Sequence, residues 1–306
     1  MMAWPGETEF ITGTTTAGTA YRRARVFPNG SDDRATVYAP SALADGASTR
    51  LVVATHGTGG SDATLDSGDG AKVRDALLDA GYVVVAGNLH GNTWGNAVGM
   101  ADLANLYAWC STVWNVTDTM FFGQSQGGGV VTVATRRKVI PTLRAVAAVA
   151  PAVNYQWVSD SGSSSAAIRA AFDATAATFA EKSSPYAPFA AVPADYAGMH
   201  VKLWASPEDT TTPKAQHSDR FSALGLTSRM ASFGVTTVTG EHLSTDHYRP
   251  GEVVDFYADA LAAGNIDPGP ATPASTTRVW DGTQWVPREV RVWTGTEWRL
   301  STPTVY

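Results

Sequence analysis

The chain has 306 residues, with 22 Lys+Arg against 28 Asp+Glu and a formal net charge of −6, so the dense basic face expected of a nucleic-acid binder is missing. Hydrophobic residues make up 44% and charged residues 16%, which excludes disorder throughout and suits a globular chain with one large core and room for appendages. The single cysteine, Cys110, excludes an intrachain disulfide framework or a cysteine-based zinc site and reads as an inert buried thiol. Residues 1–7 lack a basic stretch followed by an apolar one, and no run is long enough to span a bilayer. Neither a signal peptide nor a membrane anchor is expected.

Residues 1–34 precede the regular pattern and form an N-terminal segment. From about 35 to 263, apolar strands alternate with helices. Strands are predicted at 34–38, 51–55, 82–86, 117–122, 145–149, 200–205 and 235–239, and helices at 71–80, 100–114, 127–138, 214–224 and 250–263. This order predicts an α/β class with a doubly wound, mostly parallel sheet. Between about 152 and 198 the pattern loosens into a serine-rich stretch and helices at 165–174 and 176–182, too long for a simple crossover and read as a lid. Residues 264–277 are rich in Pro, Gly and Ala and read as a linker. Beyond it, Arg278-Val279-Trp280-Asp281-Gly282-Thr283-Gln284-Trp285 recurs as Arg291-Val292-Trp293-Thr294-Gly295-Thr296-Glu297-Trp298. Each copy predicts a small β-hairpin, so 278–306 is a Trp-rich module suited to docking on another chain or a glycan.

Chemistry-bearing residues fall in the loops after the strands. Residues 52–60 end a strand in His56-Gly57-Thr58-Gly59-Gly60, a loop that resembles the oxyanion loop of esterases and lipases. Backbone N–H groups of Gly57 or Thr58, with that of Gln126, would hold a negative oxygen there, and His56 itself reads as structural. No Gly-Lys-Ser or Gly-Lys-Thr follows, which counts against a phosphate cradle. In Asn88–Asn96, His90 and Trp94 are candidates to line a substrate pocket, or simply to pack the loop. The most informative stretch is Phe121-Phe122-Gly123-Gln124-Ser125-Gln126-Gly127-Gly128-Gly129-Val130, a strand end running through Gly-x-Ser-x-Gly into a helix. It predicts a sharp turn that projects the Ser125 hydroxyl, with helix N–H groups aimed at a developing oxyanion. Asp209 follows the 200–205 strand and is the candidate to fix an imidazole; Glu208 is adjacent and could exchange roles with it. His242 follows the 235–239 strand as candidate general base, with His247 as rival or supporting residue. No metal-ligand spacing is defensible and no cofactor is needed.

With these residues in view, the chain resembles serine hydrolases of the α/β-hydrolase superfamily over about 35–263. Gly-x-Ser-x-Gly, the later acid and the final histidine stand in the chain order of that family. Residues 205–209, Gly240-Glu241-His242 with Asp246-His247-Tyr248, and the tryptophan-rich tail also resemble hydrolase-like minor tail proteins of actinobacterial phages. That resemblance implies a serine esterase in the virion tail acting on an ester of the host envelope, with other tail proteins as partners of the C-terminal repeat and a homotrimer as the assembly. The lysin B esterases of mycobacteriophages share the serine turn, but the tail module argues for a virion component. Two other readings stay open: a tail protein that grips glycan or lipid without turnover, and a peptidase or amidase acting on peptidoglycan stems.

Overall fold

The computed structural model describes residues 3–30 and 33–264, and four short strands between 277 and 300. One sheet is built from β1 (Thr8–Thr14), β2 (Ala20–Val26), β3 (Ala35–Pro40), β4 (Ser48–Thr55), β5 (Val83–Gly87), β6 (Asn115–Gln124), β7 (Leu143–Val149), β8 (His200–Ala205) and β9 (Ser232–Thr237), in the order β1-β2-β3-β5-β4-β6-β7-β8-β9. Strands β4 to β9 run parallel, while β1, β2 and β3 are antiparallel to their neighbours. Every strand and helix expected between 35 and 263 is present, with ends moved by a few residues.

The parallel strands read as unbroken apolar runs because both faces are covered. Successive side chains alternate between faces, so Leu51, Val53, Val83, Val85 and Phe121 enter one core, and Val52, Ala54, Val84, Ala86 and Phe122 enter the other. Helices α1 (Gly68–Asp79) and α8 (Pro250–Ala263) close the second core through Val73, Leu77, Val253 and Tyr257. Helices α2 (Ala97–Val113) and α3 (Gln126–Arg136) close the first through Leu103, Leu106, Val130 and Val131. Helix α3 is buried on every side up to Thr135, because a second layer covers it: α4 (Tyr155–Ser161), α5 (Ser165–Ala171), α6 (Phe179–Ser183) and three short 3-10 turns. This is the segment expected as a lid. It is stapled to the end of α3, where Arg136 donates to the carbonyls of Ala187 and Ser184 (2.9 and 3.2 Å) and Arg137 donates to that of Pro185 (3.1 Å). Helix α7 (Ser218–Ala223) follows β8.

The N-terminal segment, set apart in the sequence reading, adds β1 and β2 to the sheet. Strand β2 carries Arg22, Arg23 and Arg25, and these arginines are matched by distant acids. Arg22 pairs with Glu7, Arg23 with Asp66 (2.7 Å), and Arg25 with Asp62 (3.0 Å), whose other oxygen takes Arg34 (2.8 Å).

A separate unit, Pro268–Tyr306, follows. It contains two antiparallel hairpins, β10 (Thr277–Trp280) with β11 (Trp285–Arg288) and β12 (Arg291–Trp293) with β13 (Trp298–Leu300). Trp280 stands opposite Trp285 and Trp293 opposite Trp298, the pairing expected of each repeat. The expected Asp281-Gly282 and Thr294-Gly295 turns, and the linker beyond Gly264, lie outside the described residues. Among the described residues, no helix is long and apolar enough to cross a membrane.

Candidate active site

Strand β6 passes directly into α3, and Ser125 occupies the junction with φ 52°. A non-glycine residue held in that region costs about 1–3 kcal/mol and persists only where its surroundings enforce it. They do. The Ser125 N–H donates to Val149 O (3.0 Å), and its carbonyl accepts from the N–H groups of Gly128 and Ala152 (both 2.9 Å). Gly127 is required because α3 starts hard against the end of β4: a Cβ there would stand 2.3 Å from Thr55 O.

The other two side chains arrive from neighbouring strand ends. His242, in the loop after β9, places Nε2 2.9 Å from Ser125 Oγ and Nδ1 2.8 Å from Asp209 Oδ2. Asp209, in the loop after β8, is 1% exposed and its acceptor capacity is filled. Oδ1 takes the N–H groups of Thr211 and Thr212 (2.8 and 2.9 Å), and Oδ2 takes Thr212 Oγ1 (2.8 Å) as well as His242. Burial pushes the Asp209 carboxyl up, but the hydrogen bonds from His242 and Thr212 outweigh it and hold the pKa at about 2. A fixed carboxylate on Nδ1 leaves Nε2 as the acceptor for the serine proton.

The rival acid and the rival base are turned to other tasks. Glu208 Oε2 accepts the Gly240 N–H (2.8 Å), tying the acid loop to the loop that carries His242. His247 is fully buried with Nδ1 3.1 Å from Ser244 Oγ, and burial, the largest influence on it, lowers its pKa. The structure brings His242, and not His247, to Ser125. A third imidazole, His217, is also fully buried, and its Nδ1 accepts the Asn154 N–H at 3.1 Å. Burial drives its pKa down to about 3.

The expected oxyanion donors lie near Ser125. Gly57 lies against Ser125, since a Cβ built on it would be 3.3 Å from Ser125 Cβ. Thr58 borders the same crevice as Ser125, and Gln126 supplies the first N–H of α3, which has no partner within the helix. His56 is structural, as expected: its ring nitrogens reach Gly57 O (2.7 Å) and Asn88 O (3.0 Å) and join this loop to the 88–96 loop. Of the two residues singled out in that loop, Trp94 lines the crevice. His90 is absent from that lining, and its Nδ1 sits 2.7 Å from Asp102 Oδ2. Burial of the apolar indole favours the crevice wall, whereas a nearby carboxylate holds the imidazole elsewhere.

Thr212 is a positioning residue that the sequence reading did not single out, and Glu208, considered there as a rival acid, is positioned instead to hold the Gly240 N–H. For Thr212 a signal existed: an acid followed two and three residues later by hydroxyl residues is the pattern of a carboxylate capping its own turn. Among the described residues, no group of three or more His, Cys, Asp or Glu side chains is placed to hold a metal.

No family model matches the sequence, and no curated protein matches it. Solved structures do match in fold. Est1E from Butyrivibrio proteoclasticus superposes with TM-score 0.55 at 15% identity, over 78% of this chain and 99% of that one. An S-formylglutathione hydrolase from Agrobacterium tumefaciens gives 0.60 at 12%, over 85% and 100%. Oligopeptidase B from Leishmania major gives 0.57 at 11%, over 86% of this chain and only 37% of that enzyme. The chain has the α/β-hydrolase fold, and its neighbours in structure are esterases and peptidases of that fold.

Proposed function

We propose that the chain is a serine hydrolase, an esterase, in which Ser125 attacks an ester carbonyl, His242 takes the serine proton and returns it to the departing alkoxide, and Asp209 holds the imidazole in the productive tautomer. The Oγ–carbon bond forms as the carbon–alkoxide bond breaks. Water, deprotonated by His242, then releases the carboxylic acid and restores the serine. N–H groups of Gly57 or Thr58, with that of Gln126, stabilise the tetrahedral oxyanion, each donor contributing about 3–4 kcal/mol to the transition state. The observation that carries this reading is the unbroken chain of contacts from Ser125 Oγ to His242 to Asp209, at 2.9 and 2.8 Å, on a serine held at positive φ.

Reaction with a small phosphonate carrying a nitrophenyl leaving group tests it. Stoichiometric modification of Ser125, absent in His242→Ala, is expected. An unreactive Ser125 at neutral pH favours the reading of a binding protein with a hydrolase fold. Faster turnover of a stem peptide than of nitrophenyl esters favours a peptidase or amidase.

The setting we assign is a phage tail, with an ester of the host envelope as substrate and the Trp-rich repeat as the attachment to other tail proteins. What supports it is the resemblance carried by 205–209, 240–248 and the repeat, together with the two hairpins of the C-terminal unit. Mass spectrometry of purified particles should find the chain in the virion, and removal of 278–306 should release it. Its absence from the particles would refute this assignment while leaving the chemistry standing.

A further inference from the structure

Beside Ser125 lies a crevice of about 10 Å³, and a void of that size holds about one water molecule. Trp94, Ala152, Val158, Gly162 and Ser163 are among its walls, together with Ser125 itself. His242, against which a departing alcohol must rest to be protonated, is not among them, and its side chain is 21% exposed. The crevice is thus left to the part of the substrate that stays bonded to Ser125 after the alcohol has gone. Resting on the serine-hydrolase reading, we propose that this crevice is the acyl subsite and restricts the enzyme to esters of very short acids, acetyl foremost, with the alcohol lying outside.

The Trp94 wall has no room to retreat, while Gly162 and the exposed Ser163 form the rim. Trp94 is 1% exposed and held at φ 51°. The Tyr155 ring meets its indole edge-on at 5.6 Å, and the Tyr155 hydroxyl donates to Trp94 O at 2.8 Å. Tyr155 in turn backs onto α3 where that helix has only hydrogen to offer: a Cβ on Gly129 would lie 2.7 Å from Tyr155 Cε1. Behind Trp94, a Cβ on Gly95 would stand 3.4 Å from Val130 Cα. From the lid side, Asn96 Nδ2 donates to Ala171 O at 2.7 Å. A longer acyl chain running toward Trp94 must push the indole or the phenol behind it into a close-packed helix, which interiors resist. An acetyl methyl, near the size of a water molecule, needs no such movement. A long fatty acyl group, as in a lipid ester of the envelope, does not fit.

The full chain is assayed with p-nitrophenyl acetate, butyrate, hexanoate and octanoate. Acetate should be the best substrate, with kcat/KM falling about 10-fold or more for each step beyond butyrate. Trp94→Ala, which opens the wall, should raise octanoate relative to acetate by about 10-fold or more. Because loss of a buried indole endangers folding, Val158→Ala is the second arm, and it should raise butyrate relative to acetate. Octanoate matching acetate in the unaltered enzyme, or an unchanged profile in folded variants, overturns the acyl subsite. So does modification of Ser125 by ethyl p-nitrophenyl methylphosphonate without any turnover of acetate. Failure of both the phosphonate and all four esters overturns instead the serine-hydrolase reading beneath it.

Discussion

The two halves of the sheet use charge in opposite ways. At the carboxyl ends of the parallel strands, one carboxylate, Asp209, is enclosed by four donors, one of them the His242 ring, so its charge acts through that ring on Ser125. Along the antiparallel edge, acids meet arginines in several pairs around β2, and Asp62 alone joins Arg25, Arg34 and the Thr36 hydroxyl. The first arrangement is positioned for chemistry. The second fastens strands whose faces are too polar to be held by the hydrophobic effect alone. Removing a charge should therefore cost activity in one half and stability in the other.

The largest effect belongs to the catalytic half. Ser125→Ala should lower kcat for p-nitrophenyl acetate by about 10⁴- to 10⁶-fold, while thermal unfolding followed by circular dichroism stays close to that of the parent. Next comes Asp62→Ala, which takes the carboxylate from Arg34 and leaves Arg25 to Glu9. It should cost about 2–3 kcal/mol in denaturant unfolding, less than the ~3–5 kcal/mol of a fully buried pair because Arg34 keeps contact with water and Arg25 keeps Glu9, with kcat unchanged. A loss of kcat there equal to the loss in stability would dissolve the contrast between the halves.

A smaller effect sharpens the comparison. Glu208 accepts the Gly240 N–H, in the loop that carries His242. Glu208→Ala should lower kcat about 10-fold, corresponding to about 1.4 kcal/mol, with KM little altered, and Glu208→Gln should restore most of it because the amide oxygen still accepts. Equal losses in both variants would show that the charge, and not the hydrogen bond, is what matters.

The smallest effect per step is acid sensitivity. His217 has a folded pKa of about 3, below the ordinary value of about 6.5, so the unfolded chain binds the proton first as pH falls. The stability of the neutral buried ring is complete above about pH 6.5 and is lost progressively as pH falls toward 3, at roughly 1 kcal/mol per pH unit. His247, lowered in the same direction by burial, adds to that loss. Below about pH 4, Asp209 contributes as well, since its depressed pKa means that protonation also favours the unfolded chain. His217→Asn keeps an acceptor for the Asn154 N–H and cannot titrate, so urea unfolding between pH 6 and 4 should show a flatter decline. An unchanged slope would remove His217 from this account.

Much of the half that carries Ser125 was legible. The parallel strands announce themselves as apolar runs, and the Gly-x-Ser-x-Gly turn, the acid after β8 and the histidine after β9 occupy stations that strand order alone makes meaningful. Strands β1 and β2 were missed because neither is an apolar run: β1 is mostly exposed, and Ala20–Val26 carries three arginines. Its arginines face acids 15 to 43 residues away, and no local pattern reveals such partners. The arginines at the end of α3 carry no sequence signal for their partners. In the fold they hold lid carbonyls, a role that depends on where residues 184–187 pass. His90 and Trp94 shared a loop and an equal claim to the pocket, and packing separated them.

The most direct test of the whole account is to mix the enzyme with p-nitrophenyl acetate, quench in acid within the first turnover and map the adduct by mass spectrometry. The account predicts one acetyl group per chain, on the peptide that contains Ser125, and none in Ser125→Ala. Turnover without a covalent intermediate, or an acetyl group that persists when Ser125 is removed, would contradict it.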